Sequence, residues 1–317
     1  MHRKIAAFIV VAGILFCTTG VFAQNYPDRP IEITVPWTPG AVTDVLGRVL
    51  ADGLAAELGQ PVIVANRPGA TGSIGSAMVA RAAADGYTLL FTAAVSITVV
   101  PLINKKTGYD LRSFDPICQT FKNEMAIVVK PDSPLKTVAD LVAAAKARPG
   151  VVNYGHLGVG SIPHLAMIEF SQFAGAEFNA IPYKGDSEVM GNVLGGQLDF
   201  GTVVLSSAVG SGLRILGIFS ERRNSGTPDT PTVKEQGFAV APSSFGGLWG
   251  PKGLPASVQQ RLSDACKIVT RGERYSKLAA SMVQPGDYYA DAASFARSLE
   301  KDMADKAPLV GLLGNAK

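Results

Sequence analysis

The chain has 317 residues, 47% of them hydrophobic and 17% charged, with 29 Lys and Arg against 26 Asp and Glu. A formal net charge of +3 gives no reason to expect nucleic acid as a partner, and no basic run marks a membrane surface. The length exceeds a typical single domain and points to two lobes.

Residues 1–23 read as an export signal. Arg3 and Lys4 supply a positive start, and residues 5–16 form an apolar run too short to span a bilayer comfortably. Val21, Phe22 and Ala23 stand at the usual cleavage positions, with Gln24 as the mature start. Phe16 precedes Cys17 where a lipid anchor would need Gly or Ala, so an exported, soluble, periplasmic protein is expected. Of the three cysteines, Cys118 and Cys266 survive cleavage. One disulfide or two buried thiols both fit them, and their spacing excludes a CxxC metal or redox motif.

A short apolar strand at residues 31–35 leads through Pro36, Trp37, Thr38, Pro39, Gly40, Ala41, Val42, Thr43 and Asp44 into an amphipathic helix. Val45, Leu46, Val49, Leu50, Leu54 and Leu58 share one face of that helix, and Gly59 closes it. The turn delivers the first free N–H groups of a helix to the end of a strand. In open α/β sheets ligands bind there, and a helix N-terminus favours anions. Strands at 61–65 and 87–92 and a helix at 74–83 continue a βαβαβ rhythm, which predicts a mostly parallel sheet covered by helices.

A strand at 124–130 follows, then a helix from Thr137 with Asp140 placed for a capping box. The alternation restarts with strands at 151–154, 178–182, 198–204 and 213–219 and helices at 161–173 and 187–194. A polar loop at 221–231 precedes a short helix opened by Thr232 and Glu235, a strand at 245–249 and a helical C-terminal stretch. Strands near 124–130 and 245–249 as crossings give two lobes: residues 24–124 with 246–317, and residues 125–245.

Cofactor and metal motifs are absent from the sequence. Gly69, Gly72 and Gly75 have the spacing of a tight turn into a helix and lack the acidic partner of a dinucleotide site. His156 and His164 have no nearby Asp, Glu or Cys to complete a metal site. The stretch from Tyr154 to His164 instead repeats the opening feature: a strand, a glycine-rich turn through Gly155, Gly158 and Gly160, and a helix beginning at Ser161 as N-cap. Two such turns facing each other across a hinge would hold carboxylates mainly with backbone.

Tyr26-Pro-x-Arg-Pro-Ile31, the 36–44 turn, Gln60-Pro-Val62, Asn66-Arg-Pro-Gly-Ala70, Ala84-Asp-Gly-Tyr-Thr88, His164-Leu165, Pro182-Tyr-Lys-Gly185, Leu194-Gly-Gly-Gln-Leu-Asp199, Pro228-Asp-Thr-Pro-Thr232 and Glu235-x-Gly237 occur in order along the mature chain. With these motifs the chain resembles the Bug receptors, the extracytoplasmic solute-binding proteins of tripartite tricarboxylate transporters. The resemblance implies an α/β, two-lobed periplasmic binding protein fold of type II-like form, each lobe a mostly parallel sheet flanked by helices. It also implies a carboxylic acid ligand in the interlobe cleft. Family ligand loops map onto residues 36–43, 92–96, 155–161 and the Tyr183-Lys184-Gly185 turn; with the nearby Asp44, His164 and Val203, the expected ligand set is Trp37, Thr38, Pro39, Gly40, Ala41, Thr43, Asp44, Thr92, Ala93, Ser96, His156, Leu157, Gly160, Ser161, His164, Tyr183, Lys184 and Val203.

Against the family pattern, Ala41 stands for a second glycine, Trp37 for a phenylalanine, His156 and Leu157 for small polar residues, Val100 for an asparagine and Val203 for an aspartate. These changes remove polarity or add bulk. A monocarboxylate with an apolar or aromatic body is therefore expected, with Trp37 and Leu157 facing the body. Thr38, Ala41, Ser96 and Ser161 would hold the charged end, with His156 able to pair with it. No cofactor is expected. The expected partners are the integral-membrane transporter subunits, and the chain is expected to be a monomer. A receptor of the same fold that reports to a membrane sensor kinase is the alternative. An exported hydrolase would need Ser161 and His164 as nucleophile and base.

Overall fold

The computed structural model describes residues 26–286 and 288–313, and the expected leader with its cleavage point lies outside them. The first lobe opens with β1 (Ile31–Val35), α1 (Val42–Leu58), β2 (Val62–Asn66), α2 (Ser73–Ala80), β3 (Thr88–Ala93), α3 (Val95–Thr98), α4 (Val100–Ile103) and β4 (Phe114–Lys122). The second contains β5 (Met125–Val129), α5 (Val138–Ala147), β6 (Asn153–His156), α6 (Ile162–Ala174), β7 (Asn179–Pro182), α7 (Asp186–Leu194), β8 (Phe200–Val204), α8 (Leu205–Ala208) and β9 (Arg214–Phe219). The chain then returns through β10 (Phe245–Pro251), α9 (Ala256–Arg271), α10 (Glu273–Ser281), β11 (Ala290–Asp291) and α11 (Ala292–Leu312) to the first lobe.

Two sheets result, ordered β11-β4-β10-β3-β1-β2 and β7-β6-β8-β5-β9. Both are mixed rather than mostly parallel. β1 runs parallel to β2 and β3, and β6 runs parallel to β7 and β8, as the βαβ rhythm requires. The departures are the strands that carry the chain between lobes: β10 is antiparallel to β3 and β4, and β5 is antiparallel to β8 and β9.

β1 has no exposed residue although Glu32 and Thr34 alternate with its apolar side chains, because β2 and β3 flank it on both sides, and the Leu46, Leu50, Leu54 and Leu58 face of α1 is buried. Gly59 ends α1 in the left-handed conformation, at φ 72°. Thr137 and Asp140 form the expected reciprocal cap of α5. Thr232 and Glu235 also exchange their capping-box bonds, but no helix follows them; the segment remains a turn. α11 packs on β4 and α3 in the first lobe and on α6 in the second, so it spans the lobe junction. Cys118 on β4 and Cys266 on α9 form a disulfide, and both residues are fully buried. Among the described residues, no helix is long and apolar enough to cross a membrane.

Candidate functional site

A cavity of about 330 Å³ lies between the two sheets where the loops after β1, β3, β6 and β7 converge. A larger open groove, about 950 Å³, runs between the α3–α4 region and α11, but it is lined by first-lobe residues alone. Of the eighteen residues named from the sequence, Trp37, Thr38, Pro39, Gly40, Ala41, Thr43, Ala93, Leu157, Ser161 and Lys184 line the interlobe cavity.

The other eight stand behind that wall. Asp44 is buried and accepts from the Gly40 N–H at 2.8 Å, Arg48 Nε at 3.0 Å and Asn66 Nδ2 at 2.8 Å. Burial would raise its carboxyl, but these hydrogen bonds and the Arg48 charge outweigh it and hold the group below the ordinary carboxylate range. Thr92 Oγ1 accepts from Trp37 Nε1 at 3.1 Å, and Asn66 Nδ2 donates to the Trp37 carbonyl at 3.0 Å. Trp37 is thereby held at the cavity edge from both its ring and its backbone. Ser96 donates to the Thr71 carbonyl at 3.0 Å and does not reach the cavity. Thr71 itself has a left-handed φ of 53°, an uncommon state for a β-branched residue.

His156 and His164 also lie inside the second lobe, at 1% and 4% exposure. The His156 Nδ1–H donates to the Gly158 carbonyl at 3.0 Å, and His164 Nδ1 accepts from the Gly160 N–H at 3.2 Å. Burial, with the neighbouring His164 as a second cause, lowers His156 to about 3; burial lowers His164 to about 4. Both are neutral at ordinary pH, so His156 supplies no cation to a ligand, and His164 is engaged with backbone rather than with Ser161. Gly160 has φ 75°, and a Cβ there would stand 2.2 Å from Ile103 Cδ1 of the first lobe. Its glycine permits the two lobes to meet at the cavity edge. Tyr183 packs into the second-lobe core, and Val203 is fully buried. Its neighbour Val204 lines the cavity instead, because successive strand residues face opposite sides.

Nine further lining residues lie outside the loops expected from the sequence: Asn123, Met125, Ile162, Pro163, Asp186, Ser187, Val204, Ser207 and Ser244; Val42, Val95 and Gly185 lie within those loops without having been singled out. Asn123 and Ser244 come from the two crossing segments, joined by an Asn123 N–H to Ser244 carbonyl bond of 2.7 Å. A signal for Asp186 was available: it is an acid at the start of a helix, directly after Lys184 and Gly185 of a motif already assigned to the ligand loops.

The starts of α1 and α6 at the cavity differ in charge. α1 has Asp44 in its first turn, and that carboxylate already accepts one loop N–H. α6 has no acid in its first turn. Its Ser161 has N-cap backbone geometry but no side-chain cap bond, and Ser161 Oγ is buried without a hydrogen-bond partner. A buried hydroxyl without a partner is costly. Here it sits at a cavity wall, beside a helix end whose partial positive charge is not offset.

The model of the tripartite tricarboxylate transporter family receptor matches residues 46–314. The chain is 35% identical over 317 residues to the UPF0065 protein in the gbd 5′ region of Cupriavidus necator, covering 99% of this chain and 96% of that one. It is 38% identical over 264 residues to protein BugT of Bordetella pertussis, covering 79% and 80%. Among solved structures, the periplasmic binding protein BugD is similar at a TM-score of 0.81 and 27% identity, over 91% of this chain and 99% of that one. An R. palustris protein solved with adipate is similar at a TM-score of 0.83 and 25% identity, over 91% and 98%. With the family model spanning most of its length, the chain belongs to the receptor family of the tripartite tricarboxylate transporters, whose members are periplasmic solute-binding proteins and not enzymes.

Proposed function

We propose that this receptor captures a small carboxylic acid in the interlobe cavity and delivers it to the membrane subunits of a tripartite tricarboxylate-type transporter. The observation that carries this reading is the start of α6, where an orphaned Ser161 Oγ and an unneutralised helix N-terminus share one cavity wall. Backbone N–H groups at the starts of α6 and α1 bind the carboxylate, with Thr38 and Ala41 on the facing wall. The adipate of the R. palustris relative supports a carboxylate in this fold.

Trp37, Leu157, Met125 and Val95 give the cavity apolar surface that suits the body of a monocarboxylate, aliphatic or aromatic. The lobes are residues 24–124 with 246–317, and residues 125–245; the passage from the first sheet to the second after Lys122 and the return at Phe245 support these limits. The receptor works as a monomer after export and removal of the leader near Gln24. Lobe closure around the acid creates the surface that the membrane partner reads.

A thermal-shift panel of mono-, di- and aromatic carboxylates tests the reading, because a ligand that binds the folded state raises its melting temperature. Monocarboxylates with an apolar body raise it in the wild type and much less in Ser161→Ala. Selective stabilisation by a compact dicarboxylate would contradict the ligand class.

A further inference from the structure

We infer that the ligand carries, besides its carboxylate, a cationic donor such as a protonated amine, and that Asp186 receives it. Asp186 begins α7 and lines the cavity, where it is the one acidic residue and Lys184 the one basic residue. Its carboxylate accepts from Ser207 Oγ at 2.7 Å and, less closely, from the Val204 N–H at 3.3 Å. Two donors leave acceptor capacity unused, since an ionised carboxylate has about four lone-pair sites. Among the described residues no cation forms an ion pair with it, Lys184 included.

A half-buried carboxylate without a cation is a costly arrangement that packing alone does not require. The elements around α7 offer no compensation. β5, β8 and α8 carry no titratable side chain; β6 carries Tyr154, which burial keeps protonated, and His156, which burial keeps neutral. α7 adds a second acid, Glu188, which accepts from the Lys184 N–H at 2.9 Å. Asp186 is therefore the acceptor for a cation on the α7 side of the cavity, while Lys184 makes no ion pair with it and the start of α6 is suited to an anion. A molecule with a carboxylate and an ammonium separated by an apolar body matches both walls and the Trp37 and Leu157 surface.

This inference rests on the carboxylate reading, and calorimetry with three probes separates the two. The probes are para-methylbenzoate, para-(aminomethyl)benzoate and para-methylbenzylamine, titrated into wild type and Asp186→Asn. Near neutral pH the amino acid binds wild type at least about tenfold more tightly than the methyl acid, as a charge-assisted contact should give. In Asp186→Asn that preference falls to about threefold or less, while para-methylbenzoate binding persists and shows that the variant is folded. Lowering the pH to about 5 also shrinks the wild-type preference, because Asp186 then takes a proton. Equal binding of both acids by wild type, or a preference that Asp186→Asn retains, overturns the role of Asp186 and leaves the carboxylate reading intact. If neither acid binds, the carboxylate reading is the one that fails, and para-methylbenzylamine then decides Asp186: binding lost in Asp186→Asn supports it, and no binding overturns it.

Discussion

The imidazole rings of His156 and His164 stack with centroids 4.1 Å apart and planes 19° from parallel, and together they hold the glycine turn between them. One ring donates to Gly158 and the other accepts from Gly160, so the two are locked as opposite tautomers. The turn they hold carries Leu157 and Ser161 into the cavity wall. The second-lobe glycine turn is held by buried neutral imidazoles rather than by any charge.

That relationship has a pH signature. Both folded-state pKa values, about 3 and about 4, lie below the ordinary 6.5. Between these limits the unfolded chain binds more protons, so stability falls as pH drops from about 6.5 toward 4. The loss reaches on the order of 3 kcal/mol per histidine at the acid end. Histidine-selective NMR of the mature protein should show both rings neutral at about pH 5. Titration of either ring near 6.5 would contradict the burial argument.

Asp186 predicts the opposite sign. Burial raises its carboxyl to about 6 against the bonds from Ser207 and Val204, so the folded apo protein binds more protons than the unfolded chain. Its presence therefore becomes destabilising as pH rises through about 6. Asp186→Asn, which keeps an oxygen for the Val204 N–H and can donate its amide N–H to Ser207 Oγ, should stabilise the unliganded receptor at about pH 8 by about 1–2 kcal/mol. Urea unfolding of the two proteins measures this, and a destabilised variant at that pH would contradict it.

Lys306 and Asp302 form an ion pair one turn apart on α11, at 3% and 1% exposure. The pair also ties the second crossing segment to the helix. Lys306 Nζ donates to the Ser243 carbonyl at 2.7 Å, and Asp302 accepts from Ser243 Oγ at 2.5 Å and Thr98 Oγ1 at 2.7 Å. Lys306→Met should cost about 3–5 kcal/mol in urea unfolding, because it strands the Asp302 carboxylate. Replacing both residues, as Lys306→Met with Asp302→Leu, should recover much of that loss. A single variant within about 1 kcal/mol of wild type would contradict the pairing.

The Cys118–Cys266 bridge joins residues 148 apart. Closing so long a loop restricts the unfolded chain, so the double variant Cys118→Ala/Cys266→Ala should lose about 2–4 kcal/mol. An unchanged denaturant midpoint after full reduction would contradict this.

Local patterns carried most of the fold. The leucine face of α1, the Gly59 stop and the Thr137 cap were all legible because each depends on neighbours within a few residues. β4 was not, since Asp115 and Pro116 break its pattern and its pairing comes from β10, more than a hundred residues away. The same limit applies to the site. The sequence marked the turns at Pro36 and Gly155, but only the packing separates Thr38 and Ser161 on the wall from Ser96 and His156 behind it. Val203 and Val204 differ by one strand position, and the register set by β5 decides which faces the cavity.

The central claim is that this cavity holds a carboxylic acid. Mass spectrometry of the small molecule released on denaturing freshly purified mature receptor tests it most directly. The expected molecule is a single carboxylic acid with an apolar body and an amine. A released molecule with no carboxylate would contradict it.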